Sequence, residues 1–311
     1  MRALIRSACL LSLLIASSAS AVTIDWTPVG DPLNACDTQS QGCFGAVGYG
    51  YNLATFEVTN AQYAEFLNAV GATDTNALYS TSMDSGLGGI SRTGGPGTYS
   101  YGVIAGRGDM PVNNVSYHDA LRFANWLHNG QLAGAQDNTT TEAGAYTFTG
   151  ATSVGARNPD AMIFLPTEDE WYKAAYYDGA TYFDYPAGFD LQTVCLAPTA
   201  VPNTANCNAG SLRDVGSYSG SASPYGTFDQ GGNVFEWTET FESGALVMRG
   251  GSYQNNPAQL AAAARISNFP ALQQDWLGIR VASAAAIPEP STGLLVIAGL
   301  LGLAGWRRVN A

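Results

Sequence analysis

The stretch that decides the fold runs from Gly226 to Trp237 and reads GTFDQGGNVFEW. It holds two carboxylates, three glycines and three aromatic side chains. Because glycine adopts positive φ without steric cost, such a stretch can turn its carbonyl groups inward. Asp229 and Glu236 could join those carbonyls around a hard cation such as Ca²⁺, which takes about six to eight oxygen ligands. The alternative is a glycine-rich turn before a strand whose aromatic residues pack in a core.

Five segments, this one included, follow one another in the order of the motifs of a known family. They are FEVTNAQY at 56–63 with FLN at 66–68, PVNNVSY at 111–117, LPTEDEW at 165–171, GGNVFEW at 231–237, and RGGSY at 249–253 with GIR at 278–280. Together they resemble the formylglycine-generating enzyme (sulfatase-modifying factor) family, whose signature is GNVWEW. The resemblance implies an α+β domain with the sulfatase-modifying-factor fold, which is related to C-type lectins and has little regular secondary structure.

Three short capped helices are predicted. Each begins with a capping box, in which the N-cap side chain and the side chain three residues later bond to each other's backbone N–H groups. The pairs are Thr59 with Gln62, Ser116 with Asp119, and Thr167 with Glu170. The second helix is expected to run to about His128. Residues 168–170 are acidic and fill the first turn of the third helix, where the helix dipole favours anions, so we expect a structural role for them.

Loops and short antiparallel strands are expected elsewhere. Residues 22–26 and 49–58 alternate in hydrophobicity, as half-buried strands do. Residues 72–109 are rich in Gly, Ser and Thr and predict a long loop with room for a hairpin. Its tyrosines, Tyr79, Tyr99 and Tyr101, either line a ligand surface or lie in irregular surface structure.

The N-terminus predicts a secretory signal peptide over residues 1–21. Arg2 and Arg6 precede an apolar run at 8–16 and the small-residue site Ala19-Ser20-Ala21. The run is well short of the ~20 residues that a membrane span needs. Residues 22–286 should then form one large domain with a sizeable core.

Residues 287–311 resemble the PEP-CTERM sorting signal. Pro288-Glu289-Pro290 is followed by an apolar membrane segment at 293–306 and by Arg307-Arg308, which fits the positive-inside rule. The resemblance implies transient membrane anchoring, processing by an exosortase, and release to the cell surface, outer membrane or extracellular matrix of a Gram-negative bacterium. The alternative is an ordinary C-terminal transmembrane helix.

The net charge and the cysteine content narrow the possible partners and the cellular compartment of the protein. A formal charge of −12 argues against nucleic acid and anionic membrane surfaces as partners. Four cysteines remain after the signal peptide, an even number in an oxidising compartment. Of the three possible pairings we favour the local one, Cys36–Cys43 with Cys195–Cys207, because both pairs close short loops.

The family resemblance also supplies a test of catalysis. In the catalytic branch, two cysteines follow the Gly-Gly-Ser-Tyr motif and bind copper as thiolates. Their positions, two and seven residues after Tyr253, are Asn255 and Leu260 here. An amide and an alkyl group cannot replace soft thiolates as Cu(I) ligands. We therefore expect no copper site and no formylglycine-generating activity.

An iron site is not indicated either. A related branch holds non-haem iron with three histidines, whereas this chain has two, His118 and His128. They stand ten residues apart on one predicted helix, about 15 Å along its axis, and cannot share an ion. We expect both to be surface or capping residues.

The resemblance further implies a structural Ca²⁺ site and a pocket. The calcium ligands would be Asp229 and Glu236 by side chain, and Gly232 and Val234 by carbonyl. The candidate pocket residues are Phe235, Ser252, Asn255, Arg265 and Trp276.

The leading hypothesis is an exported, non-catalytic domain that binds a peptide or glycan at the cell surface or in the matrix. Two alternatives stay open. One is a metal-dependent oxidase or other enzyme of the same superfamily with a rebuilt site, and the other is a structural matrix protein.

Overall fold

The computed structural model describes residues 21–285. The predicted signal peptide, except for its last residue, lies outside this range, as do the sorting signal and its membrane segment 293–306. None of the helices within residues 21–285 has the length and apolar character of a membrane span.

Three α-helices begin where the capping boxes predict. They are α1 (Asn60–Val70), α2 (Tyr117–His128) and α3 (Glu168–Tyr176). In each, the N-cap side chain accepts from the N3 backbone N–H and the N3 side chain accepts from the N-cap N–H. The boxes leave fewer unpaired donors at each helix start, which is why such short helices have well-defined N-termini.

The strands are short. In chain order they are β1 (Trp26–Val29), β2 (Asp37–Gln39), β3 (Gly42–Phe44), β4 (Tyr51–Ala54), β5 (Ile90–Thr93), β6 (Ser100–Val103), β7 (Ile163–Phe164), β8 (Val194–Cys195), β9 (Thr204–Ala205), β10 (Phe235–Glu242), β11 (Ala245–Arg249), β12 (Ile266–Asn268), β13 (Leu277–Gly278) and β14 (Ala282–Ala284). The first strand begins at the last residue of the predicted segment 22–26, so that prediction was placed too early.

Two four-stranded sheets frame the domain. The first has the order β1-β4-β14-β7 and is antiparallel throughout, so the end of the domain is inserted beside its beginning. The second has the order β12-β11-β10-β13. The expectation of antiparallel strands holds except for two parallel pairs, β10 with β13 and β8 with β9.

The main core joins both sheets to α1 and α2. Phe66 of α1 packs edge-to-face on Phe123 of α2, with ring centroids 5.4 Å apart. The strand after the glycine-rich turn contributes Trp237, which is fully buried and donates its indole N–H to the Val115 carbonyl at 3.0 Å. This packing fixes β10, whose first residue, Phe235, lines the cavity described below.

The long segment 72–109 contains the hairpin β5–β6. Two of its three tyrosines belong to the core. Tyr79 and Tyr101 are buried, and their hydroxyls donate to the carbonyls of Ile90 and Gly71. Arg92 stacks over Tyr99, with its Cζ 4.3 Å from the ring centroid. Both sequence-based interpretations of this segment were therefore wrong for Tyr79 and Tyr101, which belong to the core.

Both local disulfides form, as predicted. Cys36 and Cys43 bridge the hairpin β2–β3, and Cys195 and Cys207 join β8 to the residues after β9. The second bridge is the more buried of the two, because Cys207 packs with Leu260 in a small apolar cluster.

Candidate functional site

The glycine-rich turn is shaped by close backbone contacts. Gly232 has φ of 96°, and a Cβ there would lie 2.5 Å from the Asn206 carbonyl oxygen. Only glycine fits this position without displacing the neighbouring chain. The turn thereby delivers Glu236 into the interior.

Glu236 is committed to an ion pair. Its Oε1 lies 2.7 Å from Arg280 Nη2, and both side chains are fully buried. Its Oε2 accepts from the Trp171 indole N–H at 2.6 Å and from Arg280 Nε at 2.9 Å. Arg280 also donates to the carbonyls of Ala54 and Phe228. The pair therefore joins β4, α3, β10 and the glycine-rich turn.

This arrangement does not fit the predicted calcium shell. Both oxygens of Glu236 accept hydrogen bonds from cationic or N–H donors, which repel or replace a cation at the same atoms. Asp229 is partly buried, accepts from the Gly216 N–H at 2.6 Å, and has its pKa raised by desolvation to about 6. Across residues 21–285, no three His, Cys, Asp or Glu side chains are grouped so that they could hold a metal ion. The Ca²⁺ site predicted at Asp229, Gly232, Val234 and Glu236 stays a prediction, and the ion pair of Glu236 with Arg280 argues against it.

Four of the five candidate pocket residues line one cavity of about 210 Å³, which we call the Trp276 cavity. The four are Phe235, Ser252, Asn255 and Trp276, and the other lining residues are Gln254, Gln259 and Ile266. Phe235 and Trp276 form an edge-to-face pair with centroids 5.6 Å apart. The wall is thus aromatic on one part and amide-rich on another.

Ser252 and Asn255 are held together by a tight turn. Gly251, with φ of 72°, precedes Ser252, and a Cβ at Gly251 would lie 2.9 Å from a Leu260 methyl carbon. Asn255 Oδ1 accepts from both the N–H and the hydroxyl of Ser252, at 2.9 and 2.8 Å. The amide oxygen of Asn255 is therefore used within the protein, and its NH₂ group is the polar group left for a ligand.

The second position of the missing thiol pair has become core. Leu260 is fully buried and packs with Tyr185, Ala205 and Cys207. It does not line the cavity. The two positions that would carry thiolates in the catalytic branch thus present a hydrogen-bonded amide and a buried alkyl group, a donor set that does not fit copper.

Arg265 does not line the Trp276 cavity, so its place among the pocket candidates was wrong. Its guanidinium group bonds to both oxygens of Glu168, at 2.9 and 2.7 Å, and to Glu242 at 2.5 Å. Glu168 also accepts from Arg249 Nε at 2.7 Å. Two acidic residues in the first turn of α3 therefore have a structural role. Glu168 forms ion pairs with two arginines, and Glu170 pairs with Arg157.

A second hollow of about 450 Å³ lies near the start of α1. Three exposed aspartates, Asp25, Asp109 and Asp214, line it together with Phe56 and the buried Glu57. Burial and then the nearby Asp229 raise the pKa of Glu57. Its carboxylate accepts from the Asn233 side chain at 3.1 Å, so this group is partnered within the fold.

The two histidines do not share a site. His118 is largely buried beside Tyr117 and Phe148, which corrects the expectation that it lies at the surface. His128 Nδ1 accepts from the Met162 N–H at 3.0 Å. Both imidazoles are thus parts of the packing around α2.

Sequence reasoning missed three lining residues of the cavity: Gln254, Gln259 and Ile266. The run from Gln254 to Gln259 reads QNNPAQ and follows directly after the Gly-Gly-Ser-Tyr motif. Its density of amide side chains was the available signal. No sequence signal pointed to Ile266, because it reaches the cavity through the pairing of β12 with β11.

The fold and these motifs define a domain class. Residues 46–285 match the sulfatase-modifying factor enzyme 1-like domain, and the chain belongs to that family. Residues 286–309 match the PEP-CTERM protein-sorting motif. This motif indicates an exported protein with a membrane-anchored stage and implies processing by an exosortase.

Two curated proteins are similar over part of the chain. Hercynine oxygenase of Mycobacterium tuberculosis is 29% identical over 198 residues, which cover 56% of this chain and 37% of that protein. The serine/threonine-protein kinase pkn1 of Chlamydia caviae is 31% identical over 138 residues, 38% of this chain and 20% of that protein. The chain thus matches well under half the length of either relative.

Solved structures share the fold. CarF aligns with a TM-score of 0.53 at 22% identity, covering 85% of this chain and 99% of that one. Variable protein 1 of Treponema denticola aligns with a TM-score of 0.56 at 18% identity, covering 86% and 97%. The chain has the α+β sulfatase-modifying-factor fold, related to C-type lectins, and this likeness speaks to the fold alone.

Proposed function

We propose that this exported domain binds a ligand in the Trp276 cavity and does not generate formylglycine. The observation that carries the proposal is the side chain of Asn255, which stands at a position of the catalytic thiol pair and lines the cavity. Because its oxygen is bonded to Ser252, the residue holds a fixed donor toward a ligand. A hydrogen-bonding amide thus stands where the catalytic branch has a reactive thiol, and the cavity beside it is present.

The shape and composition of the cavity support binding. Ligand sites are concave, mostly apolar, and carry a few fixed polar groups. Phe235 and Trp276 supply the apolar part, and Ser252, Asn255 and Gln259 supply the polar part. Ser252 is buried and Asn255 is half-buried, so both are held by the fold before any ligand arrives.

The rebuilt-enzyme alternative finds less support. One of its candidate site residues was Arg265, whose guanidinium group is bonded to Glu168 and Glu242. The sorting motif supports a place of action outside the cytoplasm. We propose that the processed domain works at the cell surface or in the extracellular matrix of a Gram-negative bacterium, on a peptide or glycan.

The test uses the purified full-length chain and two pools from the matrix of the producing bacterium, one of peptides and one of oligosaccharides. Isothermal titration calorimetry should give saturable binding of one pool. Trp276→Ala should abolish it. Phe269→Ala is the matched control, because Phe269 is 73% exposed and lies outside the cavity lining.

Binding of neither pool, or binding that Trp276→Ala leaves unchanged, would contradict the proposal. A parallel assay offers the chain a cysteine peptide, copper and oxygen, with mass spectrometry as the readout. We expect no conversion of the cysteine to formylglycine.

A further inference from the structure

We infer that the Trp276 cavity takes an uncharged sugar residue of a glycan. The inference rests on the proposed function, because it names the ligand class for the same cavity. The sequence left peptide and glycan equally open. The aromatic wall and the volume of the cavity favour the glycan, and the charges of the lining residues favour an uncharged sugar.

The lining presents donors and acceptors side by side. Asn255 offers its NH₂ group, since its oxygen is bonded to Ser252. Gln254 donates from its NH₂ group to the Tyr253 hydroxyl at 2.6 Å and to Asp275 Oδ1 at 3.5 Å, which leaves its amide oxygen as an acceptor. The amide of Gln259 makes no side-chain hydrogen bond within residues 21–285 and can do both. A sugar hydroxyl donates and accepts at one atom, so adjacent hydroxyls match this mixture.

The aromatic wall suits a sugar ring. Trp276 is half-buried and is held by its edge-to-face contact with Phe235, at an interplanar angle of 73°. A pyranose ring has one face of C–H groups, which packs on a flat aromatic surface, and a polar periphery. A site that combines fixed aromatic surface with a few amides meets both parts of such a ring. The volume of about 210 Å³ suits a single ring rather than a chain segment.

The charges of the lining residues and of the whole chain argue against acidic and basic sugars as ligands. No Asp, Glu, Lys or Arg lines the cavity, and the cation proposed for it, Arg265, is bonded to two glutamates. The whole chain carries −12 and repels polyanions. The free-energy cost of moving from water into this cavity is therefore lowest for an uncharged sugar residue.

The experiment uses neutral trisaccharides of glucose, galactose, mannose and N-acetylglucosamine. The comparison ligands are a trisaccharide of glucuronic acid and the tripeptide Ala-Gly-Ala with blocked ends. Saturation-transfer NMR on the full-length chain identifies binders, and calorimetry gives their Kd. We expect at least one neutral trisaccharide to bind, and both Trp276→Ala and Asn255→Ala to weaken it at least about tenfold. Phe269→Ala should leave the Kd unchanged.

Each alternative outcome has a distinct meaning. Binding of the tripeptide alone, lost in Trp276→Ala, would overturn the glycan inference and leave the proposed binding function standing. Preference for the glucuronic acid trisaccharide would overturn the claim of an uncharged ligand. If no trisaccharide binds while the matrix peptide pool does, the glycan inference fails by itself, and if no ligand of either kind binds, both proposals fail.

Discussion

Arg280 Nη2 lies 2.7 Å from Glu236 Oε1, and both side chains are fully buried. The pair joins two motifs that are 44 residues apart, GNVFEW and GIR. A buried charge without its partner is costly, because the desolvation penalty is no longer compensated. The two motifs therefore depend on each other for stability.

Replacing Glu236 by alanine should lower the free energy of unfolding by about 3–5 kcal/mol, since Arg280 would be left buried and unpaired. Urea unfolding followed by circular dichroism measures the change. The control is Glu242→Ala, which removes an exposed partner of Arg265 and should cost about 0–1 kcal/mol. Equal losses of unfolding free energy in the two variants would contradict a larger contribution from the buried pair.

Asp119 makes the stability of the domain depend on pH. The carboxyl is buried, and burial raises its pKa from 3.8 to about 6, although hydrogen bonds from Ser116 act in the opposite direction. The folded state therefore holds this proton more tightly than the unfolded state, and the stabilisation is present below pH about 4 and lost as pH rises through about 6.

Asp119→Asn cannot titrate and isolates this effect. The free energy of unfolding of the wild type minus that of the variant should fall by about 3 kcal/mol between pH 3.5 and pH 7. Urea unfolding across that range provides the values. A difference that rises with pH would mean that the folded-state pKa of Asp119 lies below its ordinary value.

The two disulfides should differ in their effect on ligand binding. Cys207 packs with Leu260, which follows the lining residue Gln259, whereas Cys43 lies in the hairpin β2–β3. Replacing Cys195 and Cys207 by serine should weaken binding in the Trp276 cavity several-fold. The matched replacement of Cys36 and Cys43 should leave the Kd unchanged, and a similar loss of affinity in both double variants would contradict this account.

Under the proposed function, Ser252 acts on the ligand by holding Asn255. Ser252→Ala removes one of two hydrogen bonds to Asn255 Oδ1 and keeps the bond from its own N–H. Its affinity should therefore fall less than that of Asn255→Ala, which loses the donor itself. Calorimetry with the same ligand compares the two variants. An equal or larger loss in Ser252→Ala would mean that the hydroxyl contacts the ligand directly.

Local features of the sequence were enough to predict the helices. Each capping box, such as Thr59 with Gln62, involves four consecutive residues and needs no distant partner. The same holds for the disulfides, which close short loops. Tyr79 and Tyr101 escaped prediction because a glycine-rich segment gives no periodic signal, and their burial depends on the fold of the hairpin β5–β6.

The site was partly predictable for a similar reason. The sequence proposed Ser252, Asn255 and Trp276 for one pocket, and all three line the Trp276 cavity. The prediction that Arg265 lines the pocket was wrong because its partner Glu168 lies nearly a hundred residues earlier in the chain. No local sequence pattern indicates such a pair. In the same way, no local pattern indicated that Glu236 pairs with Arg280.

The claim that the Trp276 cavity is the ligand site is tested most directly by hydrogen–deuterium exchange of the full-length chain, with and without the oligosaccharide pool from the matrix. We predict slower exchange in segments 251–260 and 274–278, and unchanged exchange in segments 54–62 and 213–216 around the acidic hollow. Protection of the acidic hollow instead, or of neither region under saturating ligand, would contradict the claim.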